Sequence, residues 1–479
     1  MTTTAAAPPA EAVGVPRPCN RCREQEGTID LRGAETVCRA CFAYYVSSKA
    51  VKRLEALQRD PATPRSKGPG AQRRPQRYLV GLSCGASSTA LLHVLTENVR
   101  QQRARGQKTA RFEYVAVHVV DDTLGPLFPP PTTTSPQSPP SAAGSNGAEG
   151  EDAVLAAYRT HFPEAELLSI PLSSALTLPS IDWTALPSAP APPSAELSPA
   201  QQLLDIFNRL PSTTSRADVR RLLVRHLLIA TAAARNCDAL LLGHSTTSLA
   251  ELTLSETAKG RGFSLPWLVN DGAVPVPSSL SLNQAPDLDN LNGTSNGDAN
   301  TATEAKTALT SLPIYSPLRE LFRKELVLYL SHTSPPLLDI LPPSEAVGAK
   351  EKSGTGAVVS HRDLSIDDVL SRYFGEVEAS YPSVVANVVR TTGKLLRRPN
   401  TADHGHGEDG NGNGNGNGND NGTARSSGGS GQGNTCGLCG AGLDELGDKR
   451  WRGEIGERIE LNGQGKSKLC YGCERSIHG

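Results

Sequence analysis

The sequence has no apolar run that would direct export or cross a membrane. Residues 1–18 lack the apolar core of a signal peptide and the arginine-rich amphipathic pattern of a transit peptide. The most apolar stretch, residues 219–242, is interrupted by six polar or charged residues: Arg220, Arg221, Arg225, His226, Arg235 and Asp238. These would be costly in a bilayer. We therefore expect a soluble, intracellular protein with no membrane partner.

The sequence also lacks an excess of charge of either sign. Its 48 lysines and arginines almost balance 49 aspartates and glutamates, so overall charge indicates no partner. Basic residues nevertheless cluster between positions 49 and 77, where only two carboxylates occur. This segment is either a contact for a phosphate backbone or a solvated helix face that runs into a linker. The candidate contacts are Lys49, Lys52, Arg53, Arg73, Arg74 and Arg77.

Long parts of the chain contain too few apolar residues to form a core. We expect disorder in the tail 1–18, in the insertions 129–150, 186–199, 282–307 and 344–356, and in the Asn/Gly-rich linker 403–434. Four ordered regions remain: an N-terminal cysteine module (19–48), a basic linker or helix (49–76), a main domain (77–400) and a C-terminal cysteine module (435–479).

The main domain has alternating strand and helix patterns. Strands are predicted at 77–82, 112–120 and 239–242, and helices at 89–100, 217–235 and 248–259. Further helical segments, broken at Pro382, follow between 367 and 396. This alternation predicts an α/β fold with a doubly wound parallel sheet.

Eight of the ten cysteines form four Cys-x-x-Cys pairs, whose residues are Cys19, Cys22, Cys38, Cys41, Cys436, Cys439, Cys470 and Cys473. The first two pairs are separated by 15 residues and the last two by 30, and both spacings suit a four-thiolate zinc site. A redox dithiol is the alternative for these pairs. Four thiolates leave zinc no open position, so we predict up to two structural zinc sites rather than catalytic ones.

Residues 79–88, LVGLSCGASS, are a strand that leads through a small-residue loop into a helix. Backbone amides and the positive helix end can cradle a phosphate there. The loop, with Ser83, Cys84, Gly85, Ser87 and Ser88, resembles the Ser-Gly-Gly-x-Asp-Ser pyrophosphate loop of the N-type ATP pyrophosphatase (PP-loop) family, which includes tRNA-thiolating enzymes. Segments 237–251, 259–262, 316–329 and 381–395 resemble later parts of the same family.

The departures from the family lie at its catalytic positions. Cys84 replaces a glycine, Ser87 replaces the aspartate, and Thr247 and Ser248 replace paired aspartates, which puts ATP binding in doubt. Ser245 replaces an asparagine. Catalytic relatives also hold an iron–sulfur cluster or a persulfide on cysteines that residues 210–221 and 329–334 lack. We therefore expect no iron–sulfur cluster and assign no catalytic residue, so whether the chain is itself an enzyme stays open.

A retained framework without catalytic groups resembles the second-subunit branch of the tRNA-thiolating family. That resemblance implies a cytoplasmic heterodimer with a catalytic first subunit, which takes sulfur from a thiocarboxylated ubiquitin-like carrier. Its product would be 5-methoxycarbonylmethyl-2-thiouridine at the wobble position of tRNA Lys, Glu and Gln. The basic residues named above would then contact tRNA, together with Arg100, Arg103, Arg105, Lys108 and Arg111. A role in protein urmylation is also implied.

Two other functions remain open. The chain could be an independently active, ATP-dependent tRNA sulfurtransferase, in which case Cys84 and Cys237 could form a substitute persulfide site; the alternative is that both are small buried residues. It could instead be a zinc-dependent interaction module without a role in modification.

Overall fold

The computed structural model describes residues 17–59, 75–106, 111–124, 149–187, 197–276, 311–342, 364–397, 435–443 and 469–479. The insertions, the N-terminal tail and the linker expected to be disordered lie wholly or mostly outside these ranges. Arg73, Arg74 and Lys108 also lie outside them. In the parts of the chain that are described, every helix is too short or too polar to cross a bilayer.

The N-terminal module is a hairpin followed by a long helix. Strands β1 (Ile29–Leu31) and β2 (Glu35–Val37) pair antiparallel. The turn between them has two residues with positive φ, Arg32 at 59° and Gly33 at 71°, as tight hairpin turns require. Helix α1 (Arg39–Arg59) follows and runs without interruption across position 48–49, where the sequence analysis placed the end of the cysteine module.

A six-stranded sheet forms the centre of the main domain, in the order β5, β4, β3, β6, β8, β7. Its strands are β3 (Gln76–Gly81), β4 (Phe112–Val120), β5 (Glu166–Pro171), β6 (Ala239–Leu242), β7 (Gly272–Pro275) and β8 (Ser311–Tyr315). All neighbours pair in parallel except β7, which is antiparallel to β8 at the edge. The order reverses between β3 and β6, and ligands of open α/β sheets bind beyond the carboxyl ends of the strands at such a point.

Helices cover both faces of this sheet because alternate strand residues point to opposite sides. Tyr78 and Val80 of β3 pack into a core with α1, α2 (Ala86–Ala104), α3 (Glu149–His161) and α8 (Arg323–Ser331). Leu79 packs on the other side, against α5 (Thr213–Ala234). The α/β class and the doubly wound arrangement expected from the sequence are therefore confirmed.

The remaining helices form a separate layer around α6 (Thr246–Ala258). It contains α7 (Leu265–Val269), α9 (Ile366–Ser380) and α10 (Pro382–Thr392), and its apolar core includes Phe322 and Phe374. Helix α4 (Pro199–Arg209) and the C-terminal helix α11 (Tyr471–His478) pack near the start of α5. Short 3₁₀ segments lie at Leu172–Thr177, Trp183–Ala185, Gly262–Ser264 and Leu337–Ile340.

Several elements differ from the sequence expectation. Strands 112–120 and 239–242 have the predicted bounds, but α2 begins at Ala86 rather than at 89, because the small residues of the loop already form its first turn. Seven described elements of the main domain lay outside the predicted alternation, namely β5, β7, β8, α3, α4, α7 and α8. Strand β7 makes the sheet mixed rather than wholly parallel, and a short antiparallel strand at the edge needs no crossover helix.

Candidate functional site

The first part of the candidate site is the loop between β3 and α2. The Leu82 N–H donates to Val117 O at 2.8 Å, and α2 starts directly after Gly85. Ser88 Oγ donates to Gly85 O and also lies 3.1 Å from Ser83 Oγ. The loop therefore has the shape of a strand-to-helix phosphate turn, while the hydroxyl groups of Ser83 and Ser88 are engaged within the loop itself.

Cys84 takes up the centre of this turn. Its φ of 60° lies in the left-handed region that favours glycine, and its side chain is 3% exposed. The Sγ atom lies 3.6 Å from His118 Nδ1, and burial raises the pKa of the thiol to about 12. Burial likewise raises the pKa of Cys237 to about 11. Sulfur transfer needs a thiolate, so both environments favour a packing role over a persulfide site.

The second part is the loop after β6, which touches the first one. A Cβ atom built on Gly243 would lie 2.6 Å from Ser88 Cα, so only glycine lets the two backbones approach this closely. Ser245 caps α6, and its Oγ accepts from the Ser248 N–H at 3.1 Å. These contacts place the two family-like loops side by side at the point where the strand order reverses.

Thr247, which replaces one of the family's aspartates, serves helix packing. It is 1% exposed and donates through Oγ1 to Glu378 of α9 at 2.6 Å. The Lys324 N–H donates to the same carboxylate at 2.8 Å, and burial raises the pKa of Glu378. An aspartate at 247 would bring a second carboxylate against Glu378, whereas the threonine donates a hydrogen bond that holds α9 on α6.

Ser212 and Ser215 have the spacing of the cysteine pair of catalytic relatives. Ser212 caps α5, since its Oγ accepts from the Ser215 N–H at 3.0 Å, and the two Oγ atoms are 2.8 Å apart. The sequence alone shows only that cysteine is missing here. Serine is a strong N-cap residue, and this property could have identified the role.

His244 follows β6 at the edge of the site. Its Nδ1 atom is buried and has no hydrogen-bond partner among the described residues. Burial, with smaller contributions from Arg225 and Arg221, lowers the pKa of His244 to about 4. The imidazole is therefore neutral near pH 7.

The structure brings the first four paired cysteines together at the base of the hairpin. The Sγ atoms of Cys19, Cys22, Cys38 and Cys41 all lie within 4.8 Å of one another. The Cys38 N–H points at Cys19 Sγ from 3.2 Å, and the second pair begins α1, where the positive helix end favours thiolates. One segment thus holds both a metal-type cluster and the start of the basic helix.

The other four, Cys436, Cys439, Cys470 and Cys473, form a second cluster within the same limit of 4.8 Å. A bridge between Thr435 and Gly442 closes the first knuckle, and Cys470 immediately precedes α11. The Cys470 N–H lies 3.3 Å from Cys436 Sγ.

Both clusters have dimensions that suit zinc. Zinc–sulfur bonds of about 2.3 Å in a tetrahedron place the sulfurs about 3.8 Å apart. Cys22 and Cys38 Sγ are 3.8 Å apart, and Cys439 and Cys470 Sγ are 3.7 Å apart. The donor set of four thiolates would hold the ion without leaving a free position, so zinc here would stabilise the fold.

Comparison with known proteins addresses the family. The profile of the cytoplasmic tRNA 2-thiolation protein 2 family matches residues 365–462. The protein of that name from Phaeosphaeria nodorum is 31% identical over 463 residues, which cover 96% of this chain and 94% of the relative. The Sclerotinia sclerotiorum protein is 33% identical over 387 residues, or 79% of this chain and 83% of the relative.

The chain belongs to the cytoplasmic tRNA 2-thiolation protein 2 family. This confirms the family resemblance drawn from the loop motifs. Among solved structures, a U34-tRNA thiolase NcsA from Methanococcus maripaludis with its [4Fe-4S] cluster is similar at a TM-score of 0.41 and 13% identity, over 78% of this chain and 85% of that one.

The family segment Lys259-Gly-Arg-Gly262 has a role that the motif alone did not reveal. Arg261 is 1% exposed and donates to both Glu256 Oε2 and Asp218 Oδ2 at 2.8 Å. Its Nη1 atom also lies 3.8 Å from Cys473 Sγ, and Ser476 Oγ donates to Asp218 at 2.7 Å. Burial alone would raise the pKa of Asp218. The Arg261 guanidinium outweighs this effect and holds that pKa well below its usual range.

This network fixes the C-terminal cluster against the main domain. A Cβ atom on Gly472 would meet Arg261 Cγ at 2.4 Å, and His226 Nε2 lies 2.9 Å from Leu438 O. Apolar residues of the module pack with α4 and α5 in one core. The two segments are distant in sequence, so spacing could not indicate the contact.

The predicted tRNA contacts separate into two places. Lys49 and Arg53 of α1 both contact the Glu320 carboxylate, at 2.8 and 2.7 Å, while Lys52 is exposed on the same helix. Arg77 lies at the amino end of β3, 3.7 Å from Glu166. This end of the strands is opposite to the carboxyl end, where the two family-like loops lie. Arg100 and Arg103 lie 3.1 and 3.5 Å from Glu164. The basic residues therefore do not form one surface.

Replacing Asp218 by asparagine should remove one of the two carboxylates that contact the buried guanidinium of Arg261. Breaking a buried pair in this way costs about 3–5 kcal/mol, which denaturant unfolding of the full chain would measure. Asp205→Asn is the matched control, because Asp205 pairs with Arg209 at a site where the side chains are 36% and 40% exposed. A similar loss of stability in both variants would contradict the conclusion that Asp218 anchors the buried network around Arg261.

Gly243→Ala should destabilise the protein by about 1–3 kcal/mol, because the new Cβ would overlap backbone atoms of the first loop. Gly375→Ala in α9 is the control, and we expect it to raise the stability of the protein rather than lower it. Its Cβ would meet nothing within 4 Å, and alanine in a helix interior should stabilise by about 0.5–1 kcal/mol. Equal shifts of the unfolding midpoint for both variants would rule out the close approach of the loops.

Cys436→Ser should remove one metal ion per chain, since each cluster offers four thiolates and loses affinity when one is replaced. Elemental analysis of the purified protein should fall from about two zinc ions to about one. Cys237→Ser, at a buried cysteine outside both clusters, should keep both ions. Loss of metal from the control, or none from Cys436→Ser, would count against the site.

Proposed function

We propose that this chain is a subunit of the cytoplasmic complex that 2-thiolates wobble uridine, where it binds tRNA and a catalytic partner. Membership of the tRNA 2-thiolation protein 2 family carries this proposal. The product would be 5-methoxycarbonylmethyl-2-thiouridine in tRNA Lys, Glu and Gln, and the sulfur donor a thiocarboxylated ubiquitin-like carrier. Participation in urmylation belongs to the same proposal.

The geometry of the family-like loops supports a non-catalytic role. Thr247 is bonded to Glu378, and Ser212 and Ser215 cap a helix, so the positions that would hold metal carboxylates and reactive cysteines contribute to packing. The thiols of Cys84 and Cys237 are buried and have raised pKa values. Adenylation and sulfur transfer are therefore assigned to the first subunit of the heterodimer.

The two four-cysteine clusters have a supporting part in this proposal. The N-terminal one would fix the start of α1, and the C-terminal one would hold α5 and α6 through Arg261. Bound zinc would supply structural cross-links at Cys19, Cys22, Cys38 and Cys41 and at Cys436, Cys439, Cys470 and Cys473.

The decisive experiment reconstitutes thiolation of a tRNA Lys transcript with the chain, the presumed catalytic subunit, or both. We expect 2-thiouridine only when both proteins are present, and no ATP–pyrophosphate exchange by this chain alone. A transcript with cytidine at the wobble position is the matched control.

Two results would replace the proposal. Thiolation by this chain alone would make it an independently active sulfurtransferase. Normal 2-thiouridine in tRNA from cells that lack the gene would instead indicate an interaction module without a role in modification.

A further inference from the structure

A cleft of about 870 Å³ opens beside α6, lined by residues from α1, the loop before α8 and the end of α10. Its lining contains seven basic side chains and only two carboxylates, Asp271 and Glu320. Thr246, at the start of α6, also lines it, so the cleft lies at the same edge of the sheet as the two family-like loops.

The two carboxylates are already neutralised. Glu320 contacts both Lys49 and Arg53, which outweigh the effect of burial and lower the pKa of that carboxyl group. Asp271 lies 3.2 Å from Arg319 and 3.9 Å from Arg53. Arg32 also lines the cleft and pairs with Glu325, which is not a lining residue. The other basic residues still give the cleft an excess of positive charge.

Arg390 and Lys394 supply much of this excess from the opposite wall. Both are exposed, and neither side chain forms an ion pair or hydrogen bond within the part of the chain that the structure describes. Cations at a helix end commonly satisfy its last carbonyl groups. Here Asn270 Nδ2 already approaches Thr392 O at 3.4 Å and Leu395 O at 3.1 Å, so both cations are available to a ligand.

Apolar surface lies next to these charges. Leu395 and Leu396 line the cleft and are 41% and 78% exposed, so they present adjacent apolar side chains to it. Cations beside apolar surface suit a nucleic-acid strand, whose phosphates need positive charge and whose sugars and bases offer apolar faces. An acidic peptide would use the charge but leave much of the apolar surface without a partner.

We propose that this cleft binds the phosphodiester backbone of RNA, with Arg390 and Lys394 as its principal free contacts. The inference rests on the proposed function and deepens it by locating the tRNA surface. Of the basic residues between 49 and 77, Lys49 and Arg53 line one wall of the cleft and belong to this contact. Arg77 lies at the amino end of β3, outside the cleft, and does not.

The test is binding of the full chain to a fluorescent tRNA transcript over a series of salt concentrations. R390E/K394E should weaken binding by about tenfold or more, and should lower the slope of log K against log [salt] by about 1.5–2, because two phosphate contacts are lost. Its unfolding midpoint should match that of the wild type, since both side chains are exposed.

The matched control is R159E/R372E, which makes the same charge change at two exposed residues outside the cleft. It should bind within about threefold of the wild type, through the long-range field alone. Equal weakening by both double variants would overturn the inference, because the attraction would then be diffuse. Wild-type affinity and slope in R390E/K394E would overturn it too.

A poly-glutamate peptide tests the other class of ligand. Tighter binding of this peptide than of tRNA, abolished by R390E/K394E, would mean that the cleft takes an acidic protein segment, and would overturn the RNA assignment. Failure of the wild-type chain to bind tRNA, alone and with its partner, would overturn the proposed tRNA-binding role as well. Binding that survives R390E/K394E would overturn only this inference.

Discussion

The buried guanidinium of Arg261 connects parts of the chain that are far apart in sequence. It pairs with Asp218 of α5 and Glu256 of α6, which are 0% and 1% exposed, and it reaches Cys473 at the start of α11. Charges removed from water are tolerated only when partners surround them closely. The pairing therefore requires both helices and the C-terminal cluster to stay together, and makes that cluster part of the main fold.

Side chains at the carboxyl ends of the strands are likewise engaged in contacts within the protein. The chain keeps the backbone of a phosphate-binding turn, including the contact of Gly243 with the first loop, but uses the nearby side chains for helix caps and tethers. A carboxylate that faces a ligand gives no stability to the protein by itself, whereas Thr247 bonded to Glu378 holds two helices together.

Much of the framework could be predicted from sequence because its signals are local. Strand β4 has the predicted bounds because a run of apolar residues ends in charged or polar ones, and the cysteine spacings indicated both clusters before their sulfurs were seen together. Strands β7 and β8 were missed since each is short and lies beside a long insertion. The separation of Lys49 from Arg77 could not be predicted, because proximity along the chain does not show which end of the strands a residue reaches.

What the sequence by itself determined is the family, the α/β class, the eight metal-type cysteines and the substitutions in the two loops. These depend on residue identity and on spacing along the chain. The tertiary structure alone decided that Arg261 joins the C-terminal module to α5 and α6, that Thr247 bonds to Glu378, and that Arg390 faces the same cleft as Lys49. The contacts of Thr247 with Glu378 and of Arg261 with Cys473 join residues more than 100 positions apart, and only the packing of helices on the sheet brings them together.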